Sequence, residues 1–311
     1  MDNLSEKDIA RFLGVSARDI PKEIRALIQK TDLRYRKLKP NERDQAMLTI
    51  LKRLDSPELG ISGVGQKARW IRGWNENLKQ FIESGYDTAS LIPKYIKQNH
   101  PIRLCGDYVM PLNKNFERDF FRIIRQWLYR TYLSGKNPIY EFGCGTGANL
   151  AEIADLYPEK ELHGSDWIDV PKKIIELLAE KKEYHITGHV FDMFFPKKSF
   201  PLQEGAAILA INSLEQIGEK FEPFLQFVLS RKPSLFVHVD SFVEFYDKDN
   251  LPDYITLAHN RKRNYLSGYL TRLRELEQEG KIEFLKVRHI PCGGLYHDYF
   301  SFLVWKMKDV S

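Results

Sequence analysis

The chain has 311 residues, 43% of them hydrophobic, and its 47 basic and 42 acidic residues give a net charge of +5. That is enough for one large domain or two ordinary ones with a buried core. The charge falls well short of the strongly basic signature of a dedicated nucleic-acid binder. Three widely spaced cysteines, Cys105, Cys144 and Cys292, argue against a disulfide framework and for a reducing compartment. No zinc-type Cys or His pairing is present, so no metal is expected. Met1 to Asp19 is charged throughout and lacks an apolar signal core, and no apolar run nears the roughly 18 residues of a membrane span. The expectation is a cytoplasmic protein without a membrane partner.

Taken in chain order, residues 1 to about 100 read as helical and polar. Ile9, Phe12, Leu13 and Val15 open one amphipathic segment, Ile24, Leu27 and Ile28 a second, and Gln45–Leu54 a third. Leu59–Gly65 carries three glycines and breaks the pattern. Lys67–Ser84 resumes as a helix with Trp70, Trp74, Leu78 and Phe81 on one face. That stripe reads first as a packed face and second as a lid, with Tyr86, over a site. Phe116–Ser134 is a strongly amphipathic helix. From Pro138 the pattern becomes short apolar runs alternating with helices, which predicts a parallel sheet covered on both faces. Lys281–His289 and Tyr299–Trp305 form a hairpin-like ending. The domains expected are a helical cap or substrate region over 1–115 and a cofactor-binding domain over 116–311.

The central segment runs Ile139–Tyr140–Glu141–Phe142–Gly143–Cys144–Gly145–Thr146–Gly147–Ala148–Asn149–Leu150. An apolar strand enters a glycine-rich turn and then a helix. The glycines allow a tight turn and close approach to a ligand, and the helix start offers unpaired N–H groups and a favourable dipole. Dinucleotide folds need G-x-G-x-x-G. Here the glycines run G-x-G-x-G, with an acid two positions before the first. Three further strands end in polar groups: Glu161–Trp167 in Asp166, 19 positions after Gly147, His189–Phe194 in Asp192, and Ala207–Gln216 in Asn212 and Glu215. Ligands of open α/β sheets bind at such carboxyl ends.

Over roughly residues 138–306 this pattern resembles the class I S-adenosylmethionine-dependent methyltransferases. The resemblance implies a seven-stranded Rossmann-like sheet with an antiparallel last strand. It implies S-adenosyl-L-methionine as cofactor and S-adenosyl-L-homocysteine as product. Gly143, Cys144, Gly145 and Gly147 would form the cofactor loop. Glu141 would reach the methionine amino group or a water beside it, Asp166 the ribose hydroxyls and Asp192 the adenine amino group. Met193 would touch the adenine ring and Trp167 or Ile168 would cover it. Asn212 and Glu215 would face sulfonium and acceptor.

Methyl transfer needs alignment of acceptor, methyl and sulfur, and a hydroxyl acceptor also needs a base. Glu215 is favoured by position and His297 by reach, with His238 as a third candidate. Each also has a plainer reading, as helix cap, turn residue or strand histidine. Asp240, Tyr246, Tyr254, Arg261 and Arg263 follow the fifth strand and are candidate acceptor contacts, the two arginines for a carboxylate or phosphate. Tyr108, with Met110, is placed at the entrance. The leading expectation is methylation of an oxygen on a small molecule, such as a sugar, glycoconjugate precursor or natural-product intermediate. The acceptor is allowed to be anionic, and a homodimer is allowed for. A nucleic-acid or protein methyltransferase is the alternative. Against it, Asn212–Ser213–Leu214–Glu215 lacks the prolines and aromatic of a base-flipping motif, and the basic run Arg34–Lys39 is short. A non-catalytic cofactor binder and a nicotinamide dehydrogenase rank lower.

Overall fold

The computed structural model describes residues 1–92 and 98–308; the remaining residues of the two expected domains lie outside it. Twelve strands build two sheets among the described residues. They are β1 (Asp2–Asn3), β2 (Arg34–Lys37), β3 (Ile102–Leu104), β4 (Asp107–Pro111), β5 (Ile139–Phe142), β6 (Leu162–Asp166), β7 (Ile186–Val190), β8 (Ala207–Ile211), β9 (Leu235–Asp240), β10 (Ile282–Arg288), β11 (Cys292–Gly293) and β12 (Ser301–Met307).

The larger sheet has the order β10-β12-β9-β8-β5-β6-β7. Strands β5 to β9 pair in parallel, while β12 runs antiparallel between β9 and β10. The pleat sorts its side chains into two cores. Leu235, Val237 and Val239 of β9 face one cluster, with Ala207 and Leu209 of β8. Phe236 faces the other, with Ile208, Ala210 and Tyr140. Every residue of β8 and β9 is buried, as expected for central strands covered by helices on both sides. The edge strands β7 and β10 are only partly buried.

The order of strands sets the site. Strands β5 and β8 are neighbours, and the chain leaves them for opposite ends of the sheet. A crevice therefore opens at their carboxyl ends, the switch point where α/β proteins bind ligands.

The N-terminal region contains helices over Glu6–Leu13, Lys22–Lys30, Pro40–Asp55 and Lys67–Glu83. It also contains a second sheet that hydropathy did not predict, ordered β1-β2-β4-β3-β11. Its strands are two to five residues long, too short for a period-2 pattern to stand out. Its last strand, β11, comes from the loop between β10 and β12, so the two ends of the chain share one sheet. Arg103 on β3 secures this junction. Its guanidinium is buried and donates to Asp298 Oδ1 at 2.8 Å, to the Pro252 carbonyl at 2.8 Å and to Asp253 Oδ1 at 2.5 Å. It thereby joins the N-terminal layer, helix Leu251–Arg263 and the closing hairpin.

Candidate functional site

The crevice begins with the turn after β5. Gly143 (φ +72°) and Gly145 (φ +52°) adopt left-handed backbone, which favours glycine. A Cβ on Gly143 would lie 2.3 Å from Ser213 Cβ. The turn is fastened to β6, because Gly143 N and Cys144 N both donate to the Ser165 carbonyl, at 2.8 and 3.0 Å. Gly145 N donates to Asp166 Oδ2 at 3.2 Å. Asp166 is buried, and burial pushes its carboxyl up to about 7.

Two connected halves share this crevice. Asp166, Trp167, Asp192, Met193 and Phe194 line one half, together with Ser213 and Gln216. The turn residues Cys144, Gly145 and Thr146 line the other, together with Phe121, Arg125 and Asn149. Gly143, Asn212, Trp70 and Trp74 border both. Six of the ten expected cofactor residues therefore face the first half or the junction: Gly143, Asp166, Trp167, Asp192, Met193 and Asn212. Cys144 and Gly145 face the second.

Glu141 and Gly147 do not line the crevice. Glu141 lies fully buried beneath it, and Oε1 accepts from Asn149 Nδ2 at 2.6 Å. Its Oε2 has no hydrogen-bond partner among the described residues. Burial raises its carboxyl to about 8. Gly147 faces the sheet's covering helix, and a Cβ there would meet Ile175 Cδ1 at 2.5 Å. Its φ of +74° lets the chain enter helix Ala148–Leu156, so its requirement is packing.

Asn212 ends β8 with φ +49°, an uncommon conformation for a residue with a side chain. Neither polar atom of its buried amide group has a partner among the described residues. Asparagine tolerates this conformation better than most residues with a side chain, so the feature left to be explained is the unpaired amide bordering the crevice.

Three residues beyond Asn212 a second polar cluster surrounds Glu215; Gln216 lines the crevice, while Glu215 and His297 line neither half of it. Glu215 Oε1 accepts from Gln216 Nε2 at 2.8 Å, while Oε2 lies 3.6 Å from His297 Nε2. Burial, then the charge of Asp240, raises the Glu215 carboxyl to about 8. Asp240 accepts from Glu215 N at 3.1 Å, and burial raises it to about 7. Burial lowers His297 to about 3, so its ring is neutral at ordinary pH. The His297 ring packs among His259, Tyr265 and Tyr299. Arg263 is buried here as well and donates to Tyr265 Oη at 2.9 Å. Tyr246 Oη lies 2.9 Å from Ser241 Oγ and accepts from Asp298 N at 2.8 Å.

Other candidates fall elsewhere. His238 is wholly buried among Phe236, Phe242 and Tyr269 and faces no cavity, because its strand position points into the core. Arg261 is exposed while Arg263 is buried. Residues two apart on a helix point to opposite sides, so the two cannot clamp one anion. Tyr254 is exposed beside Leu51 and Leu251, on a surface groove outside the crevice. Tyr108 is buried under Arg103, in a cluster with Ile50 and Ile255. Tyr86 packs edge-on against Phe81 instead of reaching the site.

Residues absent from the expectation also face the crevice, chiefly Phe121, Arg125, Asn149 and Gln216. Arg125 Nη1 donates to Asn149 Oδ1 at 2.6 Å, forming a chain Arg125–Asn149–Glu141. Arg125 follows Phe121 by one helical turn, on the apolar stripe of helix Phe116–Leu128. An arginine on such a stripe was the available signal.

Neither a protein-family model nor a curated relative matches the sequence. The solved structure of SpnF, a 4+2 cyclase, aligns over 80% of this chain and 97% of its own with 14% identity and a TM-score of 0.51. Magnesium protoporphyrin IX methyltransferase from Synechocystis PCC 6803 aligns over 61% of this chain and 82% of its own, with 9% identity and a TM-score of 0.45. A SAM-dependent methyltransferase from Aquifex aeolicus aligns over 60% and 89%, with 16% identity and a TM-score of 0.42. At such identities it is the fold that is shared, and only the first likeness has weight. The chain has the seven-stranded Rossmann-like fold, with an antiparallel last strand, that class I methyltransferases carry.

Proposed function

We propose that this chain is an S-adenosylmethionine-dependent methyltransferase acting on an oxygen of a small polar molecule. One observation carries the reading: Asp166, Asp192 and Asn212, at the carboxyl ends of β6, β7 and β8, meet at a crevice floored by the glycine turn that follows β5. The fold alone does not choose the reaction, since SpnF is a cyclase. The side chains must choose it, and they fit this cofactor. Glu141, buried beneath the crevice with Oε2 unpartnered, would act on an ammonium group through Asn149, which lines the crevice and donates to its Oε1. Asp166 presents a carboxyl to a ribose, and the neighbouring rings of Trp167 and Phe194 line the same half as an apolar surface for a flat base. Arg125, already paired with Glu152 and Asn149, adds positive charge to the opposite half, where the carboxylate would lie.

When bound, the cofactor supplies an electrophilic methyl group on a sulfonium. The chain's own residues hold and align its partners and receive the acceptor's proton. Glu215 is the proposed base. Its Oε2 has no hydrogen-bond partner among the described residues, although His297 Nε2 lies nearby, and its raised pKa matches a hydroxyl better than an ordinary carboxylate would. His297 positions it. Asp240, Tyr246 and Arg263 form the polar wall around that pair, and Arg263 alone of the two arginines is retained as an anion contact. The domain roles follow: residues 1–115 cover the site and 116–311 bind the cofactor.

The nucleic-acid alternative loses support from the basic run near residue 36. Within the run Arg34–Lys39, both arginines are paired, Arg34 with Asp32 and Arg36 with Glu42. Charges already paired release few counterions on meeting phosphates. Incubation with methyl-labelled cofactor and fractionated small metabolites tests the proposal. Label transfer to a metabolite fraction is expected; transfer only to RNA or protein would overturn the acceptor class.

A further inference from the structure

We infer that Trp70 and Trp74 read the positive charge of the sulfonium, so that the crevice distinguishes the methyl donor from its neutral thioether product. The inference rests on the cofactor reading above and assigns two residues that the glycine motif does not include.

The argument starts from the two halves of the crevice. A ligand that spans both has its middle where both are bordered by the same residues. Those residues are Gly143 and Asn212 on the sheet side, and Trp70 and Trp74 on the roof. In S-adenosylmethionine the middle is the sulfonium, with adenosine on one side and the amino acid on the other. None of the four shared residues carries a charge, so the π faces of the indoles are what the junction offers a cation.

The rings are arranged for that use. Trp70 and Trp74 lie one helical turn apart on Lys67–Glu83 and stack with centroids 5.3 Å apart at 26°. Trp74 sits directly on the glycine turn, where a Cβ on Gly145 would come within 2.9 Å of its ring. Both indoles remain half-buried, whereas the fully buried residues of the helix are Asn77 and Phe81. Trp74 also packs against the edge of the larger core, whereas Trp70 does not. Tryptophan is the best aromatic partner for a cation, and a desolvated contact of this kind changes affinity by roughly 2- to 30-fold. Transfer of the methyl group removes the charge and with it that share of the affinity, which favours exchange of product for fresh donor.

The test is calorimetric titration of the full chain with S-adenosylmethionine and, separately, S-adenosylhomocysteine. In Trp74→Leu the ratio of the two affinities should shift toward the homocysteine form by about 3- to 30-fold, mainly through weaker donor binding. Trp74→Phe, which keeps a π face, should retain at least part of the wild-type ratio. Equal weakening of both ligands in Trp74→Leu, or a phenylalanine variant that behaves like leucine, would overturn the inference. Trp70→Leu gives the same readout if Trp74→Leu does not fold. Wild-type protein that binds neither ligand would remove the cofactor reading itself, whereas binding with an unaltered ratio in the leucine variants removes only this inference.

Discussion

The crevice and the polar wall beside it were built differently. The crevice takes its turn and one strand end from a single stretch, residues 139–167, in which a strand, a glycine turn, a helix and a second strand follow directly. The polar wall beside it, whose members line neither half of the crevice, gathers Glu215, Asp240, His259, Arg263 and His297 from four separate segments. The first is held by backbone hydrogen bonds and by absent side chains. The second is held by buried polar side chains that satisfy one another only in part, since Glu215 Oε2, His297 Nδ1 and Arg263 Nε have no hydrogen-bond partner among the described residues. A local motif can thus be read in order along the chain, while a wall assembled from distant segments depends on how the cap, the helix Leu251–Arg263 and the closing hairpin dock.

If the polar wall does the chemistry, its removal should spare the crevice. Glu215→Gln is expected to slow methyl transfer by about 10²- to 10⁴-fold, while affinity for S-adenosylmethionine stays within about twofold of wild type. Wild-type turnover in that variant would dismiss Glu215 as base. The pH profile sharpens the point. Buried, Glu215 holds its proton until about pH 8, so activity should rise with pH through that value and level off above it. The same shift has a cost. A carboxyl whose folded-state pKa is raised from 4.5 to about 8 loses stability for the fold as pH climbs across that window. Glu215→Gln should therefore melt higher than wild type at pH 9, and a lower melting point would count against the buried placement.

The junction between the two ends of the chain makes the next demand. Arg103→Leu leaves Asp298 buried without its guanidinium and should cost roughly 3–5 kcal/mol in denaturant unfolding. A loss below about 1 kcal/mol would mean that the N-terminal sheet is not tied to the domain through this residue. A smaller effect belongs to the strap ahead of helix Lys67–Glu83. Ser62 N donates to the Arg263 carbonyl and Ser62 Oγ to the Asn264 carbonyl, at 2.8 and 2.6 Å. Ser62→Ala removes only the second contact and should cost about 1 kcal/mol.

The same contrast explains what the sequence revealed. The parallel sheet, the antiparallel ending and the crevice follow from short apolar runs set between helices and from glycine spacing, which are local properties. Asp166, Asp192 and Asn212 lie where the strand ends put them. Gly147 fits the motif but serves the packing of Ile175, because sequence spacing records that a glycine is needed and not which neighbour needs it. The cap was legible as helices, yet its short strands and its borrowed β11 were not, since their partners are far away along the chain. Arg261 and Arg263 looked equivalent in composition and were separated by helix geometry. Trp70 and Trp74 read chiefly as a packed stripe, and only the docking of their helix over Gly145 brings them to the crevice.

The central claim is that the crevice at the ends of β5, β6, β7 and β8 holds S-adenosylmethionine through its glycine turn and Asp166. Calorimetry on wild type and Asp166→Ala, with melting curves to verify that both are folded, tests it directly. Saturable one-to-one binding by wild type, weakened at least about tenfold in the variant, is the result expected from loss of a charge-assisted hydrogen bond. A folded wild-type protein that shows no binding, or a variant that binds as tightly as wild type, would contradict it.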